Sequence, residues 1–406
     1  MHKALRTISC CLLATGCLTA TARDGAKAAG TIASPPRAAE TSASPEGAVP
    51  SATPLSKMPL VSTEAFAPDG KLEGRRIRGT PGVSSSSESS PAEMAASPEA
   101  FGGSRTPYTT VRVAVQALGP STAEPTTPVT SYPFRATGKL WARWGSSWFV
   151  CTASLVKKSV LITAAHCVFD YGKKAAGWAD EVRFYPAVYD SSTGPFGYFT
   201  ATTYRVPTPY YKGNDTCAQR GVVCNNDLAT VVLTPKADPH PGGSLLYPGN
   251  LVGWYAYGWN GYSFTRSPLL GGQTVGHVTQ LGYPAAFDGG YQMQRTDAVS
   301  WYVKDGNLRN IQIGSAQTGG SSGGPWIVNL GAKGAIDASK ASFGRQPAQA
   351  VVGVTSYGWV KKTYNRQGAS FFGQNRQYPG KNYGGYGAGN IGKIIYDTCS
   401  AQPWAC

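Results

Sequence analysis

The sequence predicts an all-β fold, a sandwich or a pair of barrels, over residues 106–406. Three observations carry that reading. From about residue 106, apolar, β-branched and aromatic runs recur along the chain. Gly, Asn and Pro break them at short intervals, and no 3.6-residue periodicity is sustained for long. Many short strands with frequent turns pack as sheet on sheet or close into barrels, and this stretch is long enough for a substantial core.

The chain has 406 residues, but its composition is uneven, so its length overstates the folded part. Residues 1–22 read as a secretory signal. His2, Lys3 and Arg6 are basic, Ile8 to Thr19 is a short apolar stretch, and Ala20-Thr21-Ala22 is an A-x-A cleavage site. That stretch is too short to remain as a membrane-spanning helix, and no other segment is long and apolar enough to be one. The alternative is a lipid anchor on Cys17 at the end of Ala14-Thr15-Gly16-Cys17, although Ala14 stands where leucine is usual. Secretion is the preferred location and the bacterial envelope the alternative.

Residues 23–105 are rich in Ala, Ser, Pro and Gly, with Ser84–Pro91 the clearest low-complexity run. Such a stretch buries too little apolar area of its own to offset its ordering entropy. It is expected to lack structure and to serve as a propeptide or linker. Arg75-Arg76-Ile77-Arg78, Arg105 and Arg135 are candidate processing points. The signal carries +2 and residues 23–105 hold nine charges of each sign, so +13 of the net +15 lies in residues 106–406. That surface favours anionic partners or serves solubility alone. No basic helix or aromatic-basic interleaving points to nucleic acid.

Six cysteines remain after the signal: Cys151, Cys167, Cys217, Cys224, Cys399 and Cys406. An even set in an exported chain implies disulfides, and proximity favours Cys151–Cys167, Cys217–Cys224 and Cys399–Cys406 among fifteen connectivities. A structural zinc site is the rival, without a C-x-x-C pair to support it.

The predicted strands follow in order. Ser147 to Val156 reads as a strand, Lys157-Lys158-Ser159 as a turn and Val160 to Thr163 as the returning strand. Leu228 to Leu233, Trp326 to Val328 and Ala350 to Ser356 are short buried strands. Three of these elements border residues with chemistry. Gly319-Gly320-Ser321-Ser322-Gly323-Gly324-Pro325 sets a serine among glycines, where the backbone can bend tightly and present successive N–H groups. A flexible linker has the same composition, but a buried strand follows at once. Leu161-Ile162-Thr163-Ala164-Ala165-His166-Cys167 ends a strand on a histidine, in a chain where only His240 and His277 otherwise survive the signal. His240 sits in an evident loop, and His277 in a strand as a satisfied polar residue. Asn225-Asn226-Asp227 precedes a buried strand, where an aspartate can accept an imidazole hydrogen bond and select its tautomer. The commoner fate of such an aspartate is to form a turn, and eleven aspartates after residue 106 make a chance match possible.

Together, in the order His, Asp, Ser, the three runs resemble the chymotrypsin-like serine peptidases. Thr163–Cys167 matches T-A-A-H-C, Asp227–Ala229 matches D-[IL]-A, and Gly320–Pro325 matches G-D-S-G-G-P except at one position. Val352 to Gly358 is similar to the family strand that pairs with substrate backbone and walls the specificity pocket. The resemblance covers roughly residues 130–400. It implies two perpendicular six-stranded antiparallel β-barrels with the triad between them. It implies Ser322 as nucleophile, His166 as general base and Asp227 as the orienting acid. The N–H groups of Gly320 and Ser322 would form the oxyanion hole, and Ala316, Thr355, Ser356, Tyr357 and Gly358 would contact substrate. No metal or organic cofactor is called for, and the expected partners of this monomer are protein or peptide substrates.

The departure is Ser321, where the family has an aspartate that pairs with a freed N-terminal ammonium. No Ile-Val-Gly-Gly start is present; Pro133 to Leu140 occupies the corresponding stretch. Thr318 to Pro325 and Leu281-Gly282-Tyr283-Pro284 are closer to the bacterial glutamyl-endopeptidase-like branch. Ala316 at the pocket base argues against preference for Arg or Lys, and Thr355 stands where that branch often has histidine. Lys361 and Lys362 could assist an acidic side chain. Two other classes compete: a catalytically silent fold used for binding or adhesion, and a β-sandwich binding glycan through its many Trp and Tyr residues. The first normally loses a triad member, and the second leaves the three ordered motifs as coincidence.

Overall fold

The computed structural model describes residues 28–37, 55–56, 59–61, 74–76, 108–114, 128–190, 194–237, 243–330, 349–359 and 365–406. Five short strands lie ahead of the main body: β1 (Thr31–Ala33), β2 (Leu55–Ser56), β3 (Pro59–Val61), β4 (Gly74–Arg76) and β5 (Thr109–Arg112). The first barrel is built from β6 (Thr137–Trp144), β7 (Ser147–Leu155), β8 (Val160–Thr163), β9 (Glu181–Pro186), β10 (Phe199–Pro207) and β13 (Ala229–Leu233). Its strands pair antiparallel in the order β10-β13-β8-β7-β6-β9, and β9 returns to β10 to close the ring. Between β10 and β13 a small hairpin forms from β11 (Cys217–Gln219) and β12 (Val223–Cys224).

The second barrel follows two short strands, β14 (Ala256–Tyr257) and β15 (Thr265–Ser267). It consists of β16 (Gln273–Gly282), β17 (Gln294–Asp305), β18 (Leu308–Gly314), β19 (Pro325–Val328), β20 (Ala350–Trp359) and β21 (Arg366–Phe371). The order is β16-β17-β18-β21-β20-β19, closed by β19 on β16. Two closed six-stranded antiparallel barrels are thus present, as the motif resemblance implies.

Local sequence accounts for these strands. The β6–β7 hairpin turns on Gly145-Ser146, with Gly145 at φ +59, a backbone that a tight hairpin needs and glycine adopts without strain. β10 alternates buried and half-buried residues, as a strand with one inward face must, whereas β7, β8 and β13 are buried almost throughout because they also face neighbouring structure. A shared apolar cluster joins the barrels through Trp141, Tyr185, Leu281, Tyr283 and Ile327. The C-terminal helix Gly389–Ala401 adds Ile391, Ile394 and Ile395 to it. All three disulfides favoured by proximity are formed: Cys151–Cys167, Cys217–Cys224 and Cys399–Cys406.

The structure corrects several expectations. Segment 23–105 is not wholly without structure: β1 pairs antiparallel with β10, β2 parallel with β7, β3 parallel with β20, and β4 antiparallel with β3. Composition measures what a segment can bury by itself; these strands instead complete backbone hydrogen bonds at barrel edges. Arg135, one of the candidate processing points, lies in the 3-10 turn Phe134–Ala136, and its Nε donates to Val252 O at 3.3 Å. His277 is exposed on β16 rather than satisfied within it. Strand β20 runs three residues beyond the predicted Ser356 end. The signal with Cys17, Ser84–Pro91, Arg105, His240, Lys361 and Lys362 lie outside the described residues. Among the described residues no helix is long and apolar enough to cross a membrane.

Candidate active site

His166 stands in the 3-10 turn Ala165–Cys167, directly after β8, with its backbone tied to β7 through Cys167–Cys151. Asp227 lies two residues before β13, which pairs with β8 from Ala229↔Thr163 onward. That register sets the aspartate beside the histidine. The imidazole Nδ1 is 2.7 Å from Asp227 Oδ2, and the His166 backbone N–H donates to Oδ1 at 2.9 Å. An ionised carboxylate only accepts, so Nδ1 carries a proton, and in the neutral ring Nε2 is the nitrogen with the free lone pair. Both residues are buried. Burial by itself would raise the Asp227 pKa. The His166 charge and hydrogen bond, the Ser356 hydroxyl and the His166 N–H outweigh it and hold the carboxyl below its ordinary 3.8.

Ser356 reaches Asp227 because β20 bulges there. Thr355 pairs with Ala369 and Tyr357 with Gly368, leaving Ser356 without a partner in the ladder. Its Oγ–H donates to Asp227 Oδ2 at 2.6 Å. Gly368 permits this register, because a Cβ at that position would enter the Tyr357 ring.

The Ser322 loop is fastened to both barrels. Thr152 of β7 donates its N–H to Ser322 O at 2.7 Å and its hydroxyl to Gly320 O at 2.8 Å. The Gly323 N–H donates to Thr355 O at 2.7 Å, and the Thr355 N–H to Gly324 O at 2.9 Å. Gly323, at φ +76, lies so close to Thr163, Thr152 and Ala164 that no side chain fits. The Gly319 carbonyl accepts the Ala285 N–H at 2.7 Å, which turns the N–H of the same peptide, that of Gly320, to the opposite side. Neither the Gly320 nor the Ser322 N–H donates to a protein acceptor among the described residues. Ser321 Oγ donates to Thr318 O at 2.7 Å, a neutral contact within the loop at the position where the family has a charged aspartate. His166 Nε2 and Ser322 Oγ are both buried and lack a hydrogen-bond partner, so no bond joins them in this resting arrangement.

The predicted pocket residues divide. Ala316 is half-buried. Thr355 points inward: its hydroxyl accepts from Gln280 Nε2 and Trp326 Nε1, each at 2.9 Å, and donates to Gly324 O at 3.2 Å. Tyr357 is buried, with its hydroxyl accepting from Gln312 Nε2 at 3.3 Å. Ser356 serves Asp227, and Gly358 offers only backbone. The side chains of Thr355 and Tyr357 are therefore committed within the barrel, and the β20 edge at Gly358 and Trp359 is paired with β3.

Sequence reasoning missed Asp215, which is buried and accepts from Thr216 N–H (2.7 Å), Asn226 N–H (2.8 Å) and Asn226 Nδ2 (2.7 Å). Burial pushes its carboxyl up to about 7, against those donors and with help from the Asp227 charge. It holds the residue before Asp227 at both backbone and side chain, and only its closeness to Cys217 could have drawn notice. Two clusters of potential metal ligands occur among the described residues, Cys151/His166/Cys167 and Asp215/Cys217/Cys224. Their cysteines are paired in disulfides and have no thiolate to give, so neither set fits a metal.

No family profile matches the chain. Over 199 residues it is 26% identical to the glutamyl endopeptidase of Bacillus licheniformis, covering 49% of this chain and 50% of that one. Over 130 residues it is 30% identical to a Bacillus subtilis protein named extracellular metalloprotease, covering 32% and 34%. The chain thus spans half or less of the curated relatives it matches. Among solved structures, the protease Anisep from Arthrobacter nicotinovorans aligns at TM-score 0.43 and 21% identity over 59% of this chain and 91% of that one. A Glu endopeptidase solved with MPD aligns at TM-score 0.42 and 14% identity over 74% and 98%. Its two closed six-stranded antiparallel barrels have the chymotrypsin-like arrangement, and part of its sequence is similar to that of a glutamyl endopeptidase.

Proposed function

We propose that the chain is an exported serine endopeptidase working by acyl transfer. The observation that carries this reading is the buried His166–Asp227 pair, with Nε2 left as a free base beside a loop that presents Ser322. Ser322 Oγ attacks the scissile carbonyl while His166 Nε2 takes its proton. The oxyanion is met by the N–H groups of Gly320 and Ser322, which have no protein acceptor to give up. His166 returns its proton to the leaving amine, the acyl group stays on Ser322, and water activated by the same nitrogen releases it. Asp227 fixes the tautomer and stabilises the imidazolium, and Ser356 and Asp215 hold Asp227 and its neighbour in place.

The groups behind Ala316 are amides and hydroxyls. Ser315 donates to Gln280 Oε1 at 2.7 Å, and Gln317 Nε2 donates to Thr296 Oγ1 at 3.1 Å. A lysine or arginine side chain reaching Ala316 meets no carboxylate on the residues that flank it, Ser315 and Gln317. Export agrees with the signal-like start and with three disulfides, which persist in oxidising surroundings. The test is hydrolysis of a peptide library by the exported, processed protein. Ser322→Ala and His166→Ala should each lower kcat by about 10⁶-fold, the loss a triad residue produces. Unchanged hydrolysis in either variant would refute the reading.

A further inference from the structure

Strands β2 and β3 occupy two sheet edges that flank Ser322. On one side, β7 pairs with β6 through Phe149 and Val150, and its opposite edge there is taken by β2, with Leu55↔Phe149 and Ser56↔Val150. Val150 lies two residues from Thr152, which holds Ser322. On the other side, Gly358 of β20 pairs with Gln367 of β21, and its free edge is taken by β3, with Gly358↔Leu60 and Trp359↔Val61. Gly358 lies two residues past Ser356, which touches Asp227. Only Lys57 and Met58 separate the two short strands in sequence.

The polarity of that segment is informative. A substrate's leaving amine must face His166, which protonates it. Cys151, next to Val150, is bonded to Cys167, next to His166, so the β7 edge is the leaving-group side. The acyl half of a substrate, N-terminal to the scissile bond, then lies along β20, and the substrate runs from β20 to β7. In chain order β2 on β7 comes before β3 on β20, the reverse, and both pairings are parallel. A chain laid in this direction takes up the edge hydrogen bonds that a substrate needs but presents its peptide groups backwards to the nucleophile. Ser322 Oγ and His166 Nε2 are sealed from solvent in the same structure.

We infer that β2 and β3 act as an autoinhibitory strap, laid backwards along the two substrate-binding edges, that blocks extended polypeptides without being cut there. This rests on the serine peptidase reading. Backbone pairing at a sheet edge is tolerant of sequence, so two short strands from a stretch of low-complexity composition can still bind. The outer strand β4 backs β3, which places the candidate processing site Arg75-Arg76 within the strap's own ribbon.

The test compares unprocessed full-length chain with Leu55→Pro/Leu60→Pro, two changes that remove edge donors. The readout is the rate at which a fluorophosphonate probe labels Ser322, with Ser322→Ala as blank. The variant should label at least about tenfold faster, the ratio expected when the closed state holds nine-tenths of the population. A synthetic peptide of residues 53–63 added to the variant should slow it again and be recovered uncut. Equal labelling of both full-length chains, no effect of the peptide, or cleavage between residues 56 and 59 would each overturn the strap. If neither full-length chain labels while the processed chain does, the block lies elsewhere and the strap falls alone. If the processed chain also fails to label, the hydrolase reading falls with it.

Discussion

Asp227 shows how a single buried charge is kept. Its carboxylate accepts from the His166 ring, the His166 backbone and Ser356, and those three donors replace the water it loses. Asp227→Asn keeps the shape but allows the wrong imidazole tautomer, so kcat should fall by about 10⁴ while the fold survives. Because the folded pKa lies below 3.8, the stability this carboxylate contributes is present above that value and lost as pH falls through the folded pKa. Lys139 is shifted in the same direction, but by burial rather than by hydrogen-bonded partners. It is buried on β6, with Nζ 4.5 Å from the Tyr291 ring centre and 5.1 Å from that of Trp141, and burial lowers its pKa to about 7. The unfolded chain then binds the extra proton between about 7 and 10.5, so stability rises with pH across that window. Lys139→Met should raise the melting temperature at pH 6, by several degrees for a gain of about 1–2 kcal/mol, and the advantage should vanish near pH 10. Calorimetry across the range decides it; a gain independent of pH would contradict the account.

At the scale of elements, each residue of the proposed triad sits just beyond or before a strand whose register is set by its neighbours. His166 follows β8, β13 follows Asp227 and β19 follows Ser322, and all three strands were legible because a short buried run and the polar or glycine turn before it are local signals. The disulfides were legible for the same reason, with partners only 16, 7 and 7 residues apart. The Ser356–Asp227 bond spans 129 residues and depends on a bulge, and the Asp215–Asn226 contacts depend on a hairpin closed by Cys217–Cys224. Neither has a signal in any one stretch of sequence. Cys151→Ala/Cys167→Ala opens a link that braces the turn bearing His166. It should cost about 3 kcal/mol, the closure entropy of a loop of this size. Activity at a temperature where the variant is still folded should fall too, whereas Cys399→Ala/Cys406→Ala, at the far end of the chain, should leave it unchanged.

For the whole molecule, the two barrels meet on a seam that Thr152, Ser322 and Thr355 stitch together through backbone hydrogen bonds. The catalytic geometry therefore requires both barrels, and neither motif alone would have been persuasive. The N-terminal segment was the least legible part, because composition records side-chain burial and is silent on backbone pairing with a distant sheet edge. It contributes strands to both barrels, β1 and β2 to the first and β3 to the second, so its removal changes the edges of each. The central claim is that Ser322 is an activated nucleophile. The most direct test is to treat the exported, processed protein with a fluorophosphonate and map the adduct by peptide mass. A single phosphonyl group on the peptide holding Ser322, absent from both Ser322→Ala and His166→Ala, is the predicted result. An adduct that persists in His166→Ala at the wild-type rate, or none in the wild type, would contradict it.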